Sequence, residues 1–253
     1  MTNFNLYSKY YDLLYKDKDY EAEAGYVADT IKELIPDAES ILELGCGSGS
    51  HAEFLCKEGF VVTGIERSEP MLNAAQSKNI KGFSCIQSDI ACYQLDKKFD
   101  VAISLFHVLN YLTTNEDLFK CFKLTNQHLV DGGIFLFDIW YSPAVYLQKP
   151  ETRIKRMQDT DTEIVRIAES TMVVNSNVVE VNFEVMIKDR HTGKTDVLKE
   201  KHPMRHFSRP EIELFASQTG FELVRIEEFL SRNEPGSDTW GICCVLKKVS
   251  TYE

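Results

Sequence analysis

The chain has too little positive charge to be built around a polyanion: 28 Lys and Arg stand against 39 Asp and Glu, a formal net charge of −11 over 253 residues. A nucleic-acid backbone needs a basic face to neutralise its phosphates, so no nucleic-acid partner is expected. No run of 18 apolar residues occurs, and the opening MTNFNLYSKYYDLLYKDKDY lacks a basic-then-apolar leader. No membrane partner is expected, and the default location is cytoplasmic. The seven cysteines, at 46, 56, 85, 92, 121, 243 and 244, are odd in number and contain no C-x-x-C pair. That spacing excludes a disulfide framework and a zinc cluster, and it fits reduced thiols and a chain with no metal site. What remains, 43% hydrophobic and 26% charged, is globular composition, long enough for one sizeable domain with an insertion.

One further absence is more specific. The dinucleotide fingerprint G-x-G-x-x-G requires a glycine at position 50, where Ser50 stands. The glycines fall instead as Gly45-x-Gly47-x-Gly49 after the apolar strand Ile41-Leu42-Glu43-Leu44, and a helix carrying Ala52, Phe54 and Leu55 follows. A strand, a glycine turn and a helix N-terminus make a site for the polar part of a nucleotide-like cofactor. Glu43 is a poor neighbour for a pyrophosphate dianion and a good one for an ammonium or sulfonium. The pattern E-x-G-x-G-x-G resembles motif I of the class I S-adenosylmethionine (SAM) methyltransferases. An NAD-dependent oxidoreductase is disfavoured by Ser50. Cys46, inside the turn, is read as a small residue accommodated there.

Taken in order, residues 4–20 are dense in aromatics, with Phe4, Tyr7, Tyr10, Tyr11 and Tyr15. Two readings stay open: an arm packed on the core, or a lid over the cofactor. A helix is expected over 19–34, stopped by Pro36. The second strand, 60–66, ends in Glu66, 21 residues beyond Gly45, where an acid is placed to accept from both ribose hydroxyls. Ser68-Glu69-Pro70 opens the next helix, and Met71 on it is placed to lie against an adenine face. The third strand, 83–90, leaves Asp89 at its carboxyl end, suited to an exocyclic amine. The fourth, 99–106, is followed by His107-Val108-Leu109-Asn110-Tyr111, and a helix running from 113 to about Val130 is ended by Asp131-Gly132-Gly133. The fifth, 134–141, delivers Asp138, Trp140 and Tyr141 to the same rim. From Pro150 the polarity alternates over 163–174, 177–188 and 197–207, an antiparallel meander. A helix over 210–219 and strands over 221–229 and 239–247 then complete a seven-stranded sheet. The expected fold is α/β, doubly wound, with an antiparallel β insertion: a core of 1–149 and 207–253 and an insertion of 150–206 covering the substrate site.

Tyr11-Asp12-Leu13-Leu14-Tyr15 with 18–24, the Glu43–Gly49 motif, Gly64-Ile65-Glu66-Arg67-Ser68 with Met71-Leu72, Asn110-Tyr111-Leu112-Thr113-Thr114, and Gly132-Gly133 before Asp138-Ile139-Trp140-Tyr141 carry a closer resemblance. Over about residues 7–142 the chain resembles the N,N-dimethyltransferases of deoxy-amino-sugar biosynthesis, which act on nucleotide-linked sugars. Two departures are visible. Phe106-His107-Val108-Leu109-Asn110 stands where the family carries small residues, and Trp140-Tyr141 stands where it carries Trp-Trp.

The resemblance and the strand ends together imply a SAM site of Tyr11, Tyr15, Glu43, Gly45, Cys46, Gly47, Gly49, Glu66, Arg67, Met71, Asp89, Ile90 and Leu105. They imply an acceptor site of Asn110, Tyr111, Asp138, Trp140, Tyr141 and Arg205. An activated methyl needs no protein nucleophile. It needs in-line alignment, worth up to ~7–11 kcal/mol, and a base that frees the acceptor lone pair. His107 is the expected base, since an imidazole with an ordinary pKa of about 6.5 suits proton acceptance. Tyr15 is expected to orient the methyl or meet the carboxylate end of the cofactor. Arg153, Lys155, Arg156, Arg166, Arg205, His206 and Arg209 are candidates for substrate phosphates, or a solvated sheet face. The expected activity is methyl transfer to a small polar acceptor, foremost an amine of a nucleotide-linked sugar. Another small amine or hydroxyl, and a SAM-binding module without turnover, are the alternatives; a homodimer is left open.

Overall fold

In the computed structural model the described residues are Tyr15 and 18–249; Tyr11 and the other aromatics of the arm before Tyr15 lie outside them. The chain runs α1 (Tyr20–Leu34), β1 (Ser40–Leu44), α2 (Ser50–Lys57), β2 (Val61–Glu66), α3 (Glu69–Ser77), β3 (Phe83–Gln87) and β4 (Phe99–Ser104). A 3-10 turn (Val108–Tyr111), α4 (Asn115–His128), β5 (Leu129–Trp140) and α5 (Ser142–Gln148) follow. Then come β6 (Arg153–Gln158), β7 (Thr162–Val173), β8 (Val178–Asp189), β9 (Thr195–Arg205), α6 (Arg209–Gln218), β10 (Phe221–Glu228) and β11 (Gly241–Lys248).

The first sheet has seven strands in the order β10-β11-β5-β4-β1-β2-β3. β1 to β5 pair in parallel, and β11 runs antiparallel to both of its neighbours. Side chains alternate across a strand, and here both faces are covered. Leu42, Leu44, Ala102, Phe135, Phe137 and Cys244 meet Leu118 and Phe122 of α4 and Phe215 of α6. Ile41, Val101, Ile103, Leu136 and Val245 meet Val27 and Ile31 of α1 and Leu55 of α2. This is why the strands read as apolar runs rather than as alternating ones.

The chain winds outward from β1 to β3, then returns to place β4 on the other side of β1. That reversal opens a crevice at the carboxyl ends of β1 and β4, where an α/β sheet binds its ligand.

The second sheet is an antiparallel meander of four strands, β6-β7-β8-β9, lying in sequence between β5 and the last two strands. Its buried residues Ala168, Val179, Val181 and Met204 pack with Tyr111, Trp140 and Trp240, and Met157, Ile164, Val185, Ile187 and Leu198 pack with Tyr15. It therefore stands over the rim of the first sheet. The sequence shows only three of these strands. β6 reads Arg-Ile-Lys-Arg-Met-Gln and buries Met157 alone, so it carries no usable period.

A second difference lies at Gly132-Gly133, expected to stop a helix. α4 ends at His128, and both glycines sit inside β5. Gly132 has φ +78°, and a Cβ on Gly133 would lie 2.8 Å from the Asp100 carbonyl oxygen, so the pair lets β5 approach β4 at a register shift.

Candidate active site

A single cavity of about 530 Å³ runs along the carboxyl ends of the first sheet and up to the second. From the glycine turn it takes Gly45, Cys46, Gly47 and His51; from the ends of β2 and β3 it takes Glu66, Arg67, Asp89 and Ile90. Met71, Leu105, His107, Tyr15 and Tyr20 also line it. Across from these, Tyr111, Trp140, Trp240, Arg166, Phe183 and His202 belong to the half built with the second sheet.

Each end of the glycine turn is fixed by backbone chemistry. Gly45 has φ +74°, and a Cβ there would fall 2.5 Å from Cγ1 of Val108. Glycine is thus required by the turn and by Val108 packed on it. Gly49 caps α2 and does not line the cavity. Glu66 accepts hydrogen bonds on both carboxylate oxygens, from Gly47 N at 3.0 Å and Ser68 N at 2.7 Å, which locks its orientation at the wall. Asp89 accepts from Ala91 N at 2.8 Å, so it shapes a turn as well as lining the cavity.

Glu43 lies one layer below the wall. It is 1% exposed, its Oε1 lies 3.9 Å from His51 Nδ1, and its Oε2 has no hydrogen-bond partner among the described residues. Burial, and then the charge of Glu66, push its carboxyl up to about 8. An orphaned carboxylate beneath a wall that carries a second one fits a cationic ligand; it is costly for an empty site and for an anionic ligand. His51 extends the network: its Nε2 lies 2.7 Å from Glu23 Oε2, and Lys18 pairs with the other oxygen of Glu23. The Cys46 thiol is pushed well above its ordinary value by burial and then by Glu43 and Glu66, which fits a packing role in the turn.

The loop after β4 holds the residue that the sequence singled out as a base. Phe106 and His107 have φ of 65° and 61°, a left-handed conformation rare in non-glycine residues and costing of order 1–3 kcal/mol at each. Asp138, 1% exposed on β5, holds the bend. Its Oδ1 accepts from His107 N at 3.0 Å, and its Oδ2 lies 2.8 Å from His107 Nδ1. At that distance the carboxylate faces the ring nitrogen, although the angle is off that of a well-aimed hydrogen bond. Burial acts to raise the Asp138 pKa; the His107 ring and N–H outweigh it and leave the carboxyl below its ordinary value. Lys18 adds to that effect, and its ammonium stands 4.3 Å from the centre of the Phe106 ring.

Several residues expected in the acceptor site take other places. Asp138 acts through His107 and does not line the cavity. Trp140 lines it, whereas Tyr141, the next residue, turns to the opposite layer, bridges to Phe207 and packs with the α4–α6 core. Adjacent residues of an extended chain cannot face the same way. Asn110 is fully buried and away from the cavity wall. Arg205 is 7% exposed and occupied by Glu211, by Asn115 Oδ1 at 2.7 Å and by the Thr113 carbonyl, outside the cavity. Of the basic residues considered for phosphates, Arg153 and Arg166 line the cavity, with Arg67 beside Glu66. His202 and Phe183 were not singled out in the sequence: a period-2 strand marks its inward face, but not the element that face meets.

A methyltransferase-domain family model matches residues 41–133. A dTDP-3-amino-3,4,6-trideoxy-alpha-D-glucopyranose N,N-dimethyltransferase of Streptomyces venezuelae is 33% identical over 177 residues, 69% of this chain and 74% of that one. A putative methyltransferase of Bacillus subtilis (strain 168), YqeM, is 30% identical over 212 residues, 83% of this chain and 84% of that one. Among solved structures, a S-adenosylmethionine-dependent methyltransferase from Clostridium acetobutylicum ATCC 824 shares the fold, with a TM-score of 0.83 at 22% identity over 98% of this chain and 99% of that one. No helix among the described residues is long and apolar enough to cross a membrane. With the glycine turn, the paired acids at strand ends and these relatives in agreement, the chain belongs to the class I SAM-dependent methyltransferases.

Proposed function

We propose that this enzyme methylates the amine of a nucleotide-linked amino sugar. The observation that carries the reading is His107, held in a left-handed bend by buried Asp138 at the junction of an acidic cofactor half and an aromatic half of one cavity. The Streptomyces venezuelae relative, named for a dTDP-linked amino sugar, supports the substrate class.

SAM, when bound, supplies a methyl group already activated on a sulfonium. Toward it, Glu66 would hold the ribose hydroxyls, and Asp89, Met71 and Ile90 the base. Glu43, acting from beneath, supplies negative charge at the end lined by His51. Gly45, Cys46 and Gly47 give the floor, and Arg67, Leu105 and Tyr15 complete the wall.

The acceptor amine reaches the site largely protonated near neutral pH and must lose a proton before its lone pair can react. Nδ1 of His107 faces Asp138, so Nε2 is the atom left to take that proton, and the Asp138 carboxylate stabilises the imidazolium that results. Asp138 is a positioning residue. It fixes the ring, and through His107 N it holds the strained backbone. Trp140, Trp240 and Phe106 exclude water from the acceptor half. Arg153 and Arg166, which line the cavity, would hold the phosphates of the nucleotide, rather than Arg205.

The test is turnover. With SAM and dTDP-3-amino-3,4,6-trideoxyglucose, S-adenosylhomocysteine should accumulate in step with sugar nucleotides heavier by one and then two methyl groups. SAM binding without methylation of any member of a panel of amino-sugar nucleotides would refute the proposed acceptor.

A further inference from the structure

The wall made by the second sheet carries a polar chain that methyl transfer itself leaves unused. The Tyr111 hydroxyl lies 2.9 Å from Nδ1 of His202 on β9, and His202 Nε2 lies 2.9 Å from Oε2 of Glu200. The His202 and Glu200 side chains are each 5% exposed, and the imidazole packs on Phe183 with ring centres 4.8 Å apart. Tyr111 and His202 line the cavity; Glu200 lies behind them.

We propose that Glu200, His202 and Tyr111 form a hydrogen-bond chain of fixed polarity, whose terminal phenol oxygen accepts a hydrogen bond from a ring hydroxyl of the sugar and so selects which sugars are methylated. The proposal rests on the amino-sugar reading above. Its physical basis is the inventory of donors. An ionised carboxylate only accepts, so the proton of a neutral His202 sits on Nε2 and is donated to Glu200. Nδ1 is then an acceptor, and Tyr111 donates its O–H to it. Having committed its one proton, the phenol oxygen can only accept.

The Arg166 guanidinium lies 4.9 Å from the centre of the same Phe183 ring, so this wall already carries one positive charge. Burial, and then the proximity of Tyr15, push the Tyr111 pKa up, so the phenol keeps its proton. Tyr15 and Arg67 both act on that hydroxyl and both line the cavity, which sets it beside the cofactor half.

A sugar with a hydroxyl in reach satisfies the acceptor; a deoxy carbon leaves it buried and unpaired. Sites built this way reject the analogue lacking the group far more strongly than an apolar pocket rejects a missing methylene. Tyr111 is the specificity-determining residue, and His202 and Glu200 position it.

Three sugar nucleotides supply the test. dTDP-3-amino-3,6-dideoxyglucose keeps the 2- and 4-hydroxyls, the 3-amino-3,4,6-trideoxy sugar keeps the 2-hydroxyl, and dTDP-4-amino-2,3,4,6-tetradeoxyglucose keeps neither. Tyr111→Phe should lower kcat/KM by roughly 10- to 100-fold for the hydroxyl-bearing sugars, mostly through KM, and should raise it for the tetradeoxy sugar, which no longer leaves a buried acceptor unpaired. Glu200→Gln keeps the shape but admits the other tautomer, and should erode the same preference. Side-chain 15N NMR of the full-length protein, with the His202 signals assigned by their loss in His202→Gln, should show a neutral ring protonated at Nε2.

An equal loss on all three sugars, a loss confined to kcat, or a His202 imidazolium would overturn the proposal. If the wild type methylates none of the three, the amino-sugar reading fails by itself. The NMR result still decides the polarity of the chain.

Discussion

Glu43→Gln removes one buried negative charge and keeps the outline of the side chain, and its consequences can be worked out from the position of that charge. In the folded protein the Glu43 carboxyl titrates near 8, against an ordinary 4.5. Between those values the folded state holds a proton that the unfolded chain has lost. Stability is therefore fully present below about pH 4.5, falls as pH rises, and levels off above about 8. At ~1.36 kcal/mol per pH unit the whole gap amounts to about 5 kcal/mol, of which about 3 kcal/mol has been lost by pH 7. Glutamine cannot ionise, so the variant should match the wild type at pH 4.5 and exceed it by about 5 kcal/mol at pH 9. For a chain of this length that is a melting-temperature gain of roughly 10–20 °C. Thermal unfolding of both proteins without ligand, from pH 4.5 to 9, measures the divergence. SAM affinity should move the opposite way, weakening by about 10-fold or more, because the cation loses its buried counter-charge. Calorimetry of wild type at pH 7 in two buffers of different ionisation enthalpy should register close to one proton released per SAM bound. Melting curves that stay parallel across the pH range would refute the reasoning.

Other outcomes follow from the same geometry. His107→Ala should lower kcat by about 10²–10⁴-fold while SAM affinity, read by calorimetry, changes less than about 2-fold; an unchanged rate removes His107 as the base. Asp138→Asn should lose much of the same rate, since the amide no longer stabilises the charged ring, with circular dichroism reporting whether the strained loop survives. Arg205→Met leaves the half-buried Glu211 without its guanidinium and should cost up to about 3 kcal/mol in urea unfolding, yet leave the KM for the sugar nucleotide within about 2-fold. Under mild alkylation at pH 7.5, mass spectrometry should find exposed Cys92 modified and Cys46 untouched until the protein unfolds.

How much of this was legible in the chain depends on how local the physics is. The strand Ile41–Leu44, its glycine turn and the acids Glu43, Glu66 and Asp89 are local features. Backbone conformation and burial set them within a few residues, so fold class, cofactor type and the acidic half of the cavity could be read from spacing. β6 could not, because a strand that buries one side chain leaves no period to detect. Gly132-Gly133 looks the same to a local reading whether it stops a helix or bends a strand, and only the approach of the Asp100 carbonyl distinguishes them. Trp140 and Tyr141 are equally aromatic, and the pleat of β5 sends one into the cavity and the other into the core.

The sequence by itself determined a doubly wound sheet with a carboxylate-rich mouth, since hydrophobic runs, glycine spacing and strand-end acids act over short range. Tertiary structure alone decided who meets whom: that Asp138 steadies His107 from 31 residues away, that Tyr111 reaches His202 across 91, and that Arg205 is spent on an ion pair. Such contacts arise where separate strands and a second sheet converge. No pattern along one segment carries the position of another, so Tyr111 and Trp140 could be named from the chain, but His202 and Phe183 became visible only when it was folded.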